Sequence, residues 1–197
     1  MNAANDERIT VIRKTFLSLL AGVTTVCFVS CSTHKAAEPA ATNAPAFTIR
    51  EIMQSMVSPR ADSIWNAVAI SVTDKGPETK APKNDEEWAN LRYEAVTLSE
   101  AMNSILVPGR KVAKPGDQAK DPKAELNPEQ IEVLISKDRE SWAKLAHDLQ
   151  GAVKGAIDAI DAKNAEALSN AGGGIDTACE TCHKKYWYPN DETAQKK

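Results

Sequence analysis

The chain is 197 residues long and 42% of its residues are hydrophobic, which is enough for a single globular core. Its formal net charge is −3, so there is no basic footprint for nucleic acid.

Residues 1–31 read as a signal peptide. Arg8, Arg13 and Lys14 form a basic start, and an apolar stretch from Phe16 to Val29 follows, too short for a comfortable membrane span. It ends at Phe28-Val29-Ser30-Cys31. This run before a cysteine resembles a bacterial lipobox, which implies cleavage before Cys31 and lipid on its thiol. Ordinary secretion, with cleavage near Ala36-Ala37 or Ala40-Ala41, is the alternative. Cys27 lies inside the apolar run and leaves with the peptide. Residues 32–46 are rich in Ala, Pro, Thr and Asn and read as a flexible tether. No later stretch is apolar enough to cross a membrane.

The remaining domain spans 47–190, followed by a polar tail at 191–197. Thr48 with Glu51 three residues on makes a capping box, and Phe47 and Ile52 sit at hydrophobic-staple positions. Ile49, Ile52, Met53, Met56, Val57, Ile64 and Val68 then recur at helical spacing. Pro59 interrupts that pattern without ending it, so a kink is expected. Residues 74–83 read as a loop. Asn84 and Glu87 cap a second helix with Trp88, Leu91, Ala95, Leu98, Met102 and Ile105 on its stripe. Pro108-Gly109 stops it, and 109–126 is a long polar connection. Asn127, Pro128 and Gln130 open a third helix running to Ile160. Asn164 opens the fourth, and Pro189 ends it. No segment calls for a strand. The fold class is all-α, an antiparallel four-helix bundle. Trp65, Trp88 and Trp142 are expected as core anchors, one per helix.

The chemistry is concentrated in Cys179-Glu180-Thr181-Cys182-His183. Two cysteines three apart with a histidine after the second form the attachment signature of c-type haem. Residues i and i+3 share a helical face, so both thiols can reach the haem vinyl groups, and the next imidazole can bind the iron. A redox dithiol would be expected after a strand, and none precedes this pair. A zinc site would need two more ligands at finger spacing, which neither His34 nor His147 supplies.

Only fourteen residues follow His183, and none is a methionine. A haem motif ending the last helix of a four-helix bundle, with an aromatic at Tyr186, resembles the class II cytochromes c, the cytochrome c′ group and its low-spin relatives. The resemblance implies one haem c attached through Cys179 and Cys182, with His183 as proximal ligand. It places the distal residue early in the first helix, where this chain has Met53 and Met56. Met53 is preferred because it lies nearer the cap, and Met56 is the alternative. Met102 is expected as packing, and His147 as a water-exposed flank residue in competition for the sixth position. The resemblance also implies an exported, periplasmic electron carrier without substrate turnover. Redox proteins of the periplasm or membrane would be its partners, a homodimer is open, and lipidated Cys31 would anchor it. A five-coordinate protein that binds nitric oxide or carbon monoxide is the alternative function.

Two departures stand out. High-spin members commonly carry a basic residue four positions after the ligating histidine, where this chain has Trp187. Gly172-Gly173-Gly174 either admits a close neighbour or breaks the fourth helix, since each glycine costs about 1 kcal/mol against alanine inside a helix.

Overall fold

The computed structural model describes residues 44–190. The signal peptide, the lipobox with Cys31, most of the tether and the polar tail lie outside the described residues.

The first helical segment has three pieces: α1 (Ile49–Ile52), a π-helical turn (Met53–Val57) and α2 (Ser58–Ala67). Its capping box forms on both sides, with Glu51 N–H donating to the Thr48 hydroxyl at 3.2 Å and Thr48 N–H donating to Glu51 at 3.0 Å. Carbonyls of the 106–127 connection accept from Ile49 and Arg50 N–H at 2.8 and 2.9 Å, satisfying two more of the amides a helix start leaves over. The staple does not form, because Phe47 is exposed while Ile49 and Ile52 bury. The helix continues past Pro59 as expected. A proline lacks the N–H of an α-helical turn and crowds the carbonyl four residues back. Here the wide turn takes up an extra residue just ahead of it, with Ser58 N–H donating to the carbonyl of Met53, five residues earlier.

The expectation of no strands is corrected by a hairpin of β1 (Ala69–Thr73) and β2 (Gly76–Lys80), antiparallel with Thr73 opposite Gly76. Gly76 holds the turn at φ +112°, and the Thr73 hydroxyl accepts from Lys75 N–H and donates to the Gly76 carbonyl. β2 is largely exposed and Val72 projects into solvent. Ile70-Ser71-Val72-Thr73 alternates in β1 over four residues only, and Gly76-Pro77-Glu78-Thr79-Lys80 carries no apolar alternation.

Helix α3 (Asp85–Ile105) follows its Asn84 cap, with Asp85, Glu86 and Glu87 in the first turn where the helix dipole favours negative charge. All six expected stripe residues are buried. The expected single third helix is two, α4 (Pro128–Lys137) and α5 (Arg139–Asp161), broken at Asp138. The Asp138 carboxylate accepts from Ser141 N–H at 3.0 Å and so caps α5. Helix α6 (Ala165–Tyr186) runs unbroken through its three glycines.

Helix α2 packs on α3, α3 on α5, α5 on α6, and α6 back on α2. The protein is therefore mainly helical, with one core between these four helices. Trp88 and Trp142 are buried in it as expected. Trp65 is not: 37% of it is exposed, because it stands at the α2–α6 seam. Among the described residues no helix is long and apolar enough to cross a membrane.

Candidate functional site

The last turns of α6 carry Cys179, Cys182 and His183, and α-helical spacing puts these three on one face. All three are partly buried and line one cavity of about 220 Å³. The first helical segment contributes Met53, Val57, Ala61 and Trp65 to the same cavity. Met102 and Ile105 come from α3, and Leu145, Ala146 and Leu149 from α5. Free space including solvent at the open mouth is about 780 Å³. Among the described residues its only ionisable lining besides the α6 trio is Asp62.

The α6 end is held in place by Asp138. Lys185 Nζ donates to its carboxylate at 2.9 Å, and the Tyr186 hydroxyl donates to its carbonyl at 3.3 Å. Trp142 and buried Tyr186 meet edge to face with centroids 5.1 Å apart. Lys185 pulls the Asp138 carboxyl below its ordinary value, and the pair raises Lys185. The break in the third helix therefore places a cap residue where it also ties down the turn that bears His183.

Both thiols are free. Burial pushes Cys179 up to about 11, with the nearby Asp176 carboxylate adding to the effect. Burial also pushes Cys182 up to about 12, and the neighbouring Cys179 adds to it. They lie near the C-terminal end of a helix, whose dipole disfavours a thiolate. Burial lowers His183 from the usual histidine value, against the pull of Glu180 and Glu125. Its imidazole is thus favoured in the neutral, ligating form. The Trp187 and Tyr188 rings stand 5.9 and 6.1 Å from the imidazole, centroid to centroid. The Tyr188 hydroxyl donates to Glu180 at 2.6 Å.

Met53 lines the cavity, whereas Met56, one turn on, packs partly buried against the core instead. His147 is exposed and does not line the cavity. Four participants were not legible in the sequence. Met102 is fully buried on α3, and its thioether is the second in the lining, beside that of Met53. Trp65 is a cavity wall rather than a core anchor. Arg50 and Lys120 line a further pocket of about 220 Å³, which shares Met53 and His183 with the first. No periodicity signals that a residue of the 106–127 connection will reach His183. Of the three glycines only Gly172 has a tight neighbour. A Cβ there would stand 3.2 Å from Trp65 Cδ1, while Gly173 faces open space.

The donor set fits a covalently held haem: two thiols one turn apart, an adjacent neutral imidazole, a thioether from another helix and an apolar wall. Among the described residues no three His, Cys, Asp or Glu side chains are arranged to hold a metal ion by themselves. A zinc site would have to find its other ligands elsewhere.

No family model matches the chain, and no curated protein matches it. Among solved structures, a leucine-to-valine mutant of ferrous cytochrome c prime from Alcaligenes xylosoxidans is similar at 18% identity, over 71% of this chain and 94% of that one, with a TM-score of 0.44.

Proposed function

We propose that this chain is a c-type cytochrome that carries electrons and turns over no substrate. The observation that supports this most directly is the convergence of Cys179, Cys182, His183 and Met53 on one apolar cavity. Haem c, when bound, supplies one-electron redox chemistry at its iron. Cys179 and Cys182 hold it by thioether bonds. The His183 imidazole and the Met53 thioether would be its iron-binding groups. Ile105, Leu145 and Leu149 keep water away, so that oxidation state changes with little reorganisation. The four packed helices would act as an antiparallel bundle that holds His183 and Met53 in place.

Absorption spectra of purified protein in oxidised, reduced and carbon monoxide-treated forms test this reading, together with acid–acetone extraction. The colour should stay with the polypeptide, and the spectrum should be low-spin. Colour that leaves with the solvent would sink covalent attachment.

A second reading has its own support. Val57 and Ala61 line the cavity on the same face as Met53 and cannot ligate. If one of them covers the iron, the protein is a five-coordinate binder of nitric oxide or carbon monoxide. Ready carbon monoxide binding by the wild type would select that reading.

The proposal extends to an exported protein anchored through lipidated Cys31, serving redox proteins of the periplasm or membrane. Cys31→Ser should shift it from membranes to the soluble fraction with an unchanged spectrum. Retention in the membrane fraction would count against the anchor.

A further inference from the structure

Trp65 lines the cavity that holds the cysteines and His183, and it also lines a second cleft of about 360 Å³ between α2 and α6. That cleft is walled by Ile64, Val68, Leu168, Ser169, Gly172 and Asp176. Gly172 lies two turns before Cys179 on the same helix. The Trp65 indole N–H donates to the Gly172 carbonyl at 3.0 Å. Gly172 is buried beneath the ring, and any larger residue there would press on Cδ1. The indole is thus held at its pyrrole edge by Gly172, and 37% of it remains exposed. A large aromatic residue standing between two cavities, pinned by a single hydrogen bond, is a partition rather than part of the core.

We propose that Trp65 is the gate between solvent and the haem cavity, and that the α2–α6 cleft is the route by which small neutral ligands and water reach the iron. This rests on the haem reading of the cavity. With the indole hydrogen-bonded to Gly172, the cleft ends at the ring. When that bond breaks, the cleft and the cavity join. The same device serves both readings of the site. It keeps water from a six-coordinate iron, and it sets the access rate for a diatomic gas at a five-coordinate one.

The test uses the full haem-loaded protein carrying Met53→Ala, so that a distal position is open whichever reading holds. Carbon monoxide association is followed after flash photolysis. Adding Trp65→Ala should speed association by about tenfold or more, corresponding to a loss of roughly 1.4 kcal/mol of barrier. Trp65→Phe keeps most of the ring volume but loses the donor, and should fall between. Adding Ser169→Leu to Trp65→Ala places a side chain in the exposed cleft and should return the rate toward its starting value. A general loosening of the fold would not be reversed by that plug. Rates within twofold of the Met53→Ala parent, or no reversal by Ser169→Leu, overturn the gate and leave the cytochrome reading standing. A preparation without covalent haem overturns both.

Discussion

Two walls of the cavity are built in different ways. On α6 the ligating groups follow regular α-helical spacing, and the end of the helix is anchored to Asp138 and Trp142. On the first helical segment Met53 opens a π-helical turn whose N-terminal side rests on carbonyls of a distant connection. The α6 wall is a local device, since three side chains within five residues share a face in any α-helix. The Met53 wall is a register device. In a regular α-helix a spacing of four drifts by about 40°, and the position in line with Ala61 would fall between Met53 and Gln54. The extra residue of the π turn brings Met53 into line with Val57, Ala61 and Trp65. A constellation within one turn is robust, whereas one assembled across helices depends on the exact count of residues per turn.

The sharpest way to break this comparison is at the two methionines. Met53→Ala should convert a low-spin spectrum to high-spin, admit carbon monoxide and lower the reduction potential, since thioether ligation favours ferrous iron. Met56→Ala should leave the spectrum unchanged and cost about 1 kcal/mol in a denaturant melt. If the two variants exchange roles, the π turn does not hold in solution. A low-spin spectrum that survives in Met53→Ala would point to Met102, and Met53→Ala/Met102→Ala would then be high-spin.

A smaller effect is expected at the anchor of the other wall. Asp138→Ala removes the cap of α5 and the partner of Lys185, and should cost about 1 kcal/mol. It should also loosen the last turn of α6, read as faster amide exchange from Lys184 to Trp187. Asp138→Asn keeps the cap and loses the ion pair, so most of the stability should return. Equal losses in both variants would show that the ion pair, not the cap, matters.

The smallest effect concerns acid. Glu51 is held at about 2, well below its ordinary 4.5, first by Lys114 and then by the Thr48 N–H and hydroxyl. A depressed carboxylate contributes stability that is present above about 4.5 and is lost as pH falls toward 2. The pair is solvent-accessible, so the loss should be modest and reduced by salt. Comparing acid melts of wild type and Glu51→Gln checks it, because the variant should lack that part of the slope. Identical slopes would mean that the capping box carries no pH dependence.

Much of the molecule was legible because its signals are short-range. The caps at Thr48, Asn84 and Asn164 each accept from the backbone three residues on. The stripe of α3 follows from its period alone. The hairpin escaped because its apolar alternation is confined to Ile70 and Val72 and its second strand has none. Asp138 escaped because a cap inside an apolar period looks like an ordinary polar position. Trp65 was misjudged because size argues for burial, whereas Gly172 offers it a seam at the surface.

By itself the sequence determined the helical class, the helix starts at Thr48, Asn84, Asn127 and Asn164, and the placing of two thiols and an imidazole on one face of the last helix. Each of these follows from spacings of three or four residues and from hydrogen bonds within one turn. Only the tertiary structure decided that Met53 rather than Met56 enters the cavity and that Met102 adds a second thioether. It likewise set Trp65 as a partition and brought the 106–127 connection to His183. These depend on how helices far apart in the chain pack against one another. A turn widened by one residue, or a glycine beneath an indole, changes which side chain arrives, and neither consequence is written in any local period.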